Sequence, residues 1–187
     1  MYRKIVFLII ALLSFSHLSF SSEILPPLEG RLARPFTEDE SIDSGFWKKG
    51  SRDLPYFGAP RNPRGRQHAG VDLYPAEGVG APVYSMLDGR VLKVAPFYNR
   101  RNGERTYGVL VDHGIFVANY GEVSPLRKSG EILRQGDLLG RVSGTAQLHL
   151  ELYAPGIKNW IGGWYGKKPE WLLDPTEMIL DAMKGRR

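Results

Sequence analysis

His68-Ala69-Gly70-Val71-Asp72 sets an imidazole and a carboxylate four residues apart. Gln147-Leu148-His149-Leu150-Glu151, about eighty residues later, sets a second imidazole on an alternating polar and apolar run. Two imidazole nitrogens and one carboxylate oxygen are the ligand set of a catalytic zinc site whose fourth position stays open for water. Two neutral imidazoles and one Asp carboxylate around Zn2+ leave a net charge of about +1, which pulls the pKa of a water there towards about 7. Beyond the N-terminal apolar run, His113 is the one other histidine, so few imidazoles compete for the role.

Such ligands need a rigid carrier. Taken as a strand, residues 148–153 put Gln147, His149 and Glu151 on one face and Leu148, Leu150 and Leu152 on the other. The leucine face anchors the strand in a core, and the polar face lines a cleft. Gly70 has no side chain, so the backbone there can approach its neighbour closely and His68 and Asp72 can converge on one ion. Around these two stretches the pattern is one of short β segments: 71–74, 82–86, 90–94, 107–112, 116–120, 138–142 and 148–153. Asp88-Gly89, His113-Gly114, Ser129-Gly130 and Gln135-Gly136 separate them with turn residues. Even spacing of short strands predicts an all-β sandwich or partial barrel. Residues 97–105 form a basic loop at a hairpin tip. Asp174-Pro175-Thr176-Glu177 predicts a helix, with Asp174 as N-cap, Pro175 at the first helical position and Glu177 completing a capping box. That helix runs to about Lys184, before Gly185.

Arg3 and Lys4 precede a run, residues 5–22, with no Asp, Glu, Lys or Arg. Ser19 and Ser21 have the spacing of a cleavage site before Ser22. The strongly apolar part is short for a membrane span, which needs about 20 residues. The expectation is a cleaved signal over 1–21 and an exported chain, periplasmic or extracellular, with no stable membrane span; an uncleaved anchor is the rival. There is no cysteine, so the exported chain has no disulfides and depends on its core. Removing Arg3 and Lys4 leaves 23 basic and 20 acidic residues, a net +3. That suits an anionic polymer of the cell wall and is too weak to argue for nucleic acid. Residues 22–65, rich in Pro, Gly and charge, hold neither period for long and are predicted to form an extended leader over the core. Phe46, Trp47, Tyr56 and Phe57 tack it down. The domain proper then spans 66–187.

The motifs also carry a likeness. His68-Ala69-Gly70-Val71-Asp72-Leu73, then Gly80-Ala81-Pro82-Val83-Tyr84 and Asp88-Gly89-Arg90-Val91, resembles the lysostaphin/LytM-type zinc metalloendopeptidases. Val109-Leu110-Val111-Asp112-His113-Gly114, Gly136-Asp137-Leu138-Leu139-Gly140, Leu148-His149-Leu150-Glu151 and Asp174-Pro175-Thr176 continue the resemblance in order. It implies an all-β fold of the duplicated-hybrid type with a cleft over a sheet, and one zinc bound by His68, Asp72 and His149. It implies a substrate amide bond in the peptide part of peptidoglycan. Two positions depart from the family pattern. The metal-binding strand usually reads His-x-His, and Gln147 stands at its first position. A second catalytic histidine usually follows a tyrosine as Tyr-x-His, and here Tyr120-Gly121-Glu122 puts Glu122 there.

A carboxylate at position 122 can serve as general base or acid. Gln147 cannot transfer a proton but can donate a hydrogen bond to an oxyanion. The resemblance therefore implies either an altered hydrolase or a zinc-binding relative that no longer hydrolyses and binds wall peptide or another wall hydrolase. His113, in an Asp-His-Gly turn, is expected to be structural. Arg66, Arg100, Arg101 and Arg105 are candidates for carboxylate contacts or plain solvated surface. Trp160, Trp164 and Tyr165 are candidates for the groove wall or for packing, and Glu151 for orienting a ligand.

Overall fold

The computed structural model describes residues 23–43, 45, 47, 53–61 and 64–185. The expected signal over 1–21, Ser22, Phe46 and Pro63 lie outside the described residues. In chain order these form α1 (Glu38–Asp43), β1 (Arg66–His68), β2 (Val71–Leu73), β3 (Pro82–Tyr84), β4 (Gly89–Asn99), β5 (Arg105–Asp112), β6 (Val117–Pro125), β7 (Ile132–Leu133), β8 (Leu138–Val142), β9 (Leu148–Tyr153), β10 (Gly163–Tyr165), β11 (Leu172–Leu173) and α2 (Thr176–Lys184). The architecture is all-β and antiparallel, as expected. Among the described residues no helix is long and apolar enough to cross a membrane.

The sheet is assembled on β6. One edge of β6 pairs with β5, and the other pairs first with β9 and then with β8. β4 continues outward from β5, and β7 closes against β4. On its far edge β9 pairs with both β2 and β11. β1 and β10 form a separate two-stranded ribbon. Val71, Leu73, Val109, Val111, Leu148, Leu150 and Leu152 meet in one buried cluster. Each such side chain, fully buried, stabilises the fold by about 1.5–3 kcal/mol. The alternation of β9 is thus realised: its leucines lock the strand in the core while His149 faces away from them.

Residues before β1 are part of this packing. Leu28 and Phe36 enter the main core cluster. Leu25 N–H donates to Met86 O at 3.1 Å, and Tyr84 N–H donates to Pro27 O at 2.9 Å. The expected lack of regular structure there is interrupted by α1. Thr37 Oγ1 contacts Glu40 Oε2 at 3.1 Å, and acidic residues fill the first turn, which favours a helix N-terminus. Six residues are too few for a helical period to be read in sequence.

Three local expectations are refined. Residues 97–99 and Arg105 are strand, because Pro96↔Tyr107, Tyr98↔Thr106 and Asn99↔Arg105 pair, leaving 100–104 as the hairpin tip. α2 begins at Thr176, and Asp174 Oδ1 accepts from its N–H at 2.9 Å and from its hydroxyl at 2.6 Å. β1, β7, β10 and β11 were not expected; with two or three residues each they show no alternation.

Candidate metal centre

His68 ends β1, Asp72 is the middle of β2, and Ala69-Gly70 make the corner between them. In the β2–β9 register Asp72 is the direct partner of His149. Directly opposed residues have Cβ atoms about 4.5–5.5 Å apart, so pairing alone brings carboxylate and imidazole together. Asp72 Oδ1 lies 2.8 Å from His149 Nδ1 and 3.3 Å from His68 Nε2. The two ring nitrogens are 3.0 Å apart. All three residues are buried.

The donor set and its spacing fit a zinc ion. Tetrahedral ligands at about 2.0–2.2 Å from zinc stand roughly 3.3 Å from one another, close to the spacings seen. The other ring nitrogens face acceptors. His68 Nδ1 is 2.9 Å from Tyr56 O, and His149 Nε2 is 3.1 Å from Glu151 Oε1, somewhat off the bonding axis. Acceptors there aim the other nitrogen of each ring inward, where an ion would replace the proton that His149 Nδ1 shares with Asp72. Glu151 is fully buried. Its Oε2 accepts from Asn119 Nδ2 at 2.9 Å and from Tyr153 Oη at 2.5 Å. Glu151 thus stands beside His149, where it could orient the imidazole.

Electrostatics divides the three groups. Burial pushes His68 down to about 4, with Asp72 pulling the other way. Burial acts likewise on His149, but Asp72 and Glu151 on either side outweigh it and push the imidazole up to about 10. Burial would raise Asp72, yet His68 and Arg61 hold it well below the usual carboxylate range.

Glu122 reaches the same cleft through a backbone irregularity. Between Val123↔Tyr107 and Tyr120↔Val109, β6 carries Gly121 and Glu122 against Gly108 alone. Glu122 takes φ 62°, a conformation uncommon for a residue with a side chain and found at bulges that re-aim one. Gly121 still pairs with His149, whereas Val123 pairs with Val142 of β8, so the bulge sits where β6 changes partners. Gln147 Nε2 donates to Glu122 Oε1 at 3.1 Å. Burial and then Asp72 raise the Glu122 carboxyl, opposed by His149 and the side-chain donors. A Cβ on Gly121 would come 3.0 Å from the Phe97 ring. The glycine therefore admits Phe97, whose ring centroid is 5.1 Å from that of His149.

The cleft has a volume of about 1090 Å3. His68, Asp72, His149, Glu122 and Gln147 all line it, as do Arg66, Arg100 and Arg101. Arg105 is not part of the lining. Arg66 donates to Gly162 O at 2.5 Å, and Arg100 pairs with Glu104. Trp160 is in the wall, whereas Trp164 is 6% exposed and packs on Phe57 at 5.2 Å, and Tyr165 faces solvent. His113 is structural, with ring nitrogens 3.0 Å from Asp88 O and from Tyr120 Oη. Sequence reasoning missed Arg61, Tyr56 O and Phe97; the first two come from a stretch without period, and Phe97 from a supposed loop.

No family model matches the chain. It is 32% identical over 109 residues to Myeloid protein 1 of Gallus gallus, covering 54% of this chain and 29% of that protein. The chain thus spans under a third of the length of that curated relative. A crystal structure of the SpoIIIAH and SpoIIQ complex contains a chain that superposes with a TM-score of 0.52 at 17% identity, covering 82% of this chain and 98% of that one. The chain shares its fold with that one. The catalytic domain of the antimicrobial peptidase lysostaphin from Staphylococcus simulans superposes with a TM-score of 0.47 at 20% identity, covering 67% of this chain and 89% of that one. Within that fold, β1, β2 and β9 carry His68, Asp72 and His149, β6 carries Glu122, and Gln147 lies just before β9.

Proposed function

We propose that this chain is an exported zinc-dependent hydrolase that cleaves amide bonds in the peptide part of peptidoglycan. The observation that carries it is the convergence of His68 Nε2, Asp72 Oδ1 and His149 Nδ1 within 3.3 Å of one another at the floor of an open cleft. Bound there, zinc supplies a Lewis acid for the scissile carbonyl. The chain does the rest. Tyr56 O and Glu151 orient the two imidazoles. Glu122 takes a proton from the attacking water on its carboxylate and returns it to the leaving amine. Gln147 holds Glu122 by its Nε2 hydrogen bond, and its carboxamide is the donor nearest in kind to the missing imidazole. Phe97 and Trp160 form an apolar wall that limits water around the carbonyl.

A second reading rests on the Glu122–Gln147 hydrogen bond. The two substituted positions satisfy each other, as they would in a zinc-holding module that binds wall peptide or a partner hydrolase without cutting. Purified protein loaded with zinc and incubated with isolated sacculi separates the two. The hydrolase releases peptide fragments identifiable by mass spectrometry, and His149→Ala releases none. Binding to sacculi with no fragments from any wall type establishes the second reading.

A further inference from the structure

The fold uses the two oxygens of Asp72 differently. Oδ1 faces both imidazoles, 2.8 Å from His149 and 3.3 Å from His68. Oδ2 lies 2.5 Å from Nη2 of Arg61. The Asp72 side chain is 3% exposed and that of Arg61 12%, so little water screens the pair. Arg61 is held by its main chain: its N–H donates to Arg66 O at 2.9 Å, and Pro60 bridges Gln67. It therefore reaches the carboxylate from the segment entering β1 and not from the sheet that carries Asp72 and His149.

We propose that Arg61 is a built-in competitor of the metal ion: it supplies a cation to buried Asp72, and an ion bound by His68, Asp72 and His149 must share that carboxylate with it. The proposal rests on the zinc reading of the site given above. A carboxylate buried without a counter-charge is strongly unfavourable. Arg61 supplies such a charge from outside the ligand set. An incoming divalent ion then meets an oxygen whose charge is already partly committed. It also meets a like charge across the width of one carboxylate, where screening is weak. Whatever stabilises the ion-free protein more than the ion-bound one weakens ion binding by that difference.

This is the opposite of what Tyr56 O and Glu151 do. Tyr56 O accepts from His68 and the Glu151 carboxylate stands 3.1 Å from His149, so both strengthen the imidazoles as donors, whereas Arg61 donates to a ligand oxygen and draws its charge away. The contact also leaves Oδ1 as the one Asp72 oxygen aimed at the ion, so the carboxylate ligates through a single atom. The arrangement gives a protein whose three candidate ligands converge without an ion, and which binds zinc more weakly than the same triad would without Arg61.

The test compares wild type, Arg61→Met and Arg61→Lys after removal of metal with a chelator and dialysis. Zinc affinity is read by competition with a chromogenic chelator, and thermal unfolding is followed with and without zinc. Arg61→Met should bind zinc at least about tenfold more tightly, unfold at a lower temperature when stripped, and recover most of that loss with zinc. Arg61→Lys, which keeps the charge, should stay close to wild type in affinity. Unchanged or weaker zinc binding by Arg61→Met makes Arg61 a mere orienting group and overturns the proposal while leaving the zinc site intact. Failure of wild type and variants alike to bind zinc overturns both. If Arg61→Met folds only with zinc present, that is the expected effect in its strongest form. If neither Arg61→Met nor Arg61→Gln folds even with zinc, the proposal is wrong.

Discussion

Glu122→Ala should lower kcat/KM for peptidoglycan by a hundredfold or more while the protein keeps its zinc. General acid-base groups contribute about 10²–10⁴ in rate, and Glu122 is the carboxylate that Gln147 holds at this cleft. The pH profile gives the effect its signature. A base must be ionised to accept a proton, so activity falls as pH drops through the Glu122 pKa. Burial, with Asp72 adding to it, raises that pKa above the ordinary 4.5. The acid limb therefore follows Glu122, and it disappears in whatever activity Glu122→Ala retains. Glu122→Gln should match Glu122→Ala in rate, since it keeps the shape and loses the proton site. Full activity in either variant removes Glu122 from the chemistry.

Gly70→Ala should be among the most damaging single substitutions in the chain, although Gly70 touches no substrate. A Cβ there would lie 2.1 Å from Leu150 O and 2.8 Å from Leu150 C. Both are backbone atoms of β9, paired into the sheet on either side, and they cannot swing aside as a side chain can. Overpacking typically costs about 1–3 kcal/mol and sometimes more, and an overlap with main chain belongs at the upper end. For a domain of this size about 3 kcal/mol lowers Tm by roughly 6–12 °C. The same shift pushes β2 away from β9 and opens the Asp72–His149 pairing, so zinc affinity should fall together with Tm. Thermal unfolding and chelator competition on one preparation check both. A variant with unchanged Tm would mean that the corner has slack the structure does not show.

The convergence of His68, Asp72 and His149 was legible in the sequence for a physical reason. His68, Gly70 and Asp72 act through local spacing, and His149 rides on a leucine alternation whose period states which way it faces. The longer strands were legible for the same reason. Glu122 was placed by motif position alone; that it reaches the cleft through a bulge depends on Gly108 opposing two residues, which only the sheet register determines. Trp160 and Trp164 look alike in sequence, and the β10 pairing decides that Trp164 turns into the core. Arg61 could not be read at all. It lies among Pro and Arg residues with no period, and its role depends on an eleven-residue return of the chain to Asp72.

The claim beneath all of this is that His68, Asp72 and His149 hold one zinc ion. Elemental analysis of the purified protein, combined with X-ray absorption at the zinc edge, tests it most directly. The account predicts one zinc per chain with two nitrogen ligands and one carboxylate oxygen from the protein, and none in His149→Ala. A protein that takes up no zinc, or a His149→Ala variant that keeps it, would contradict the account.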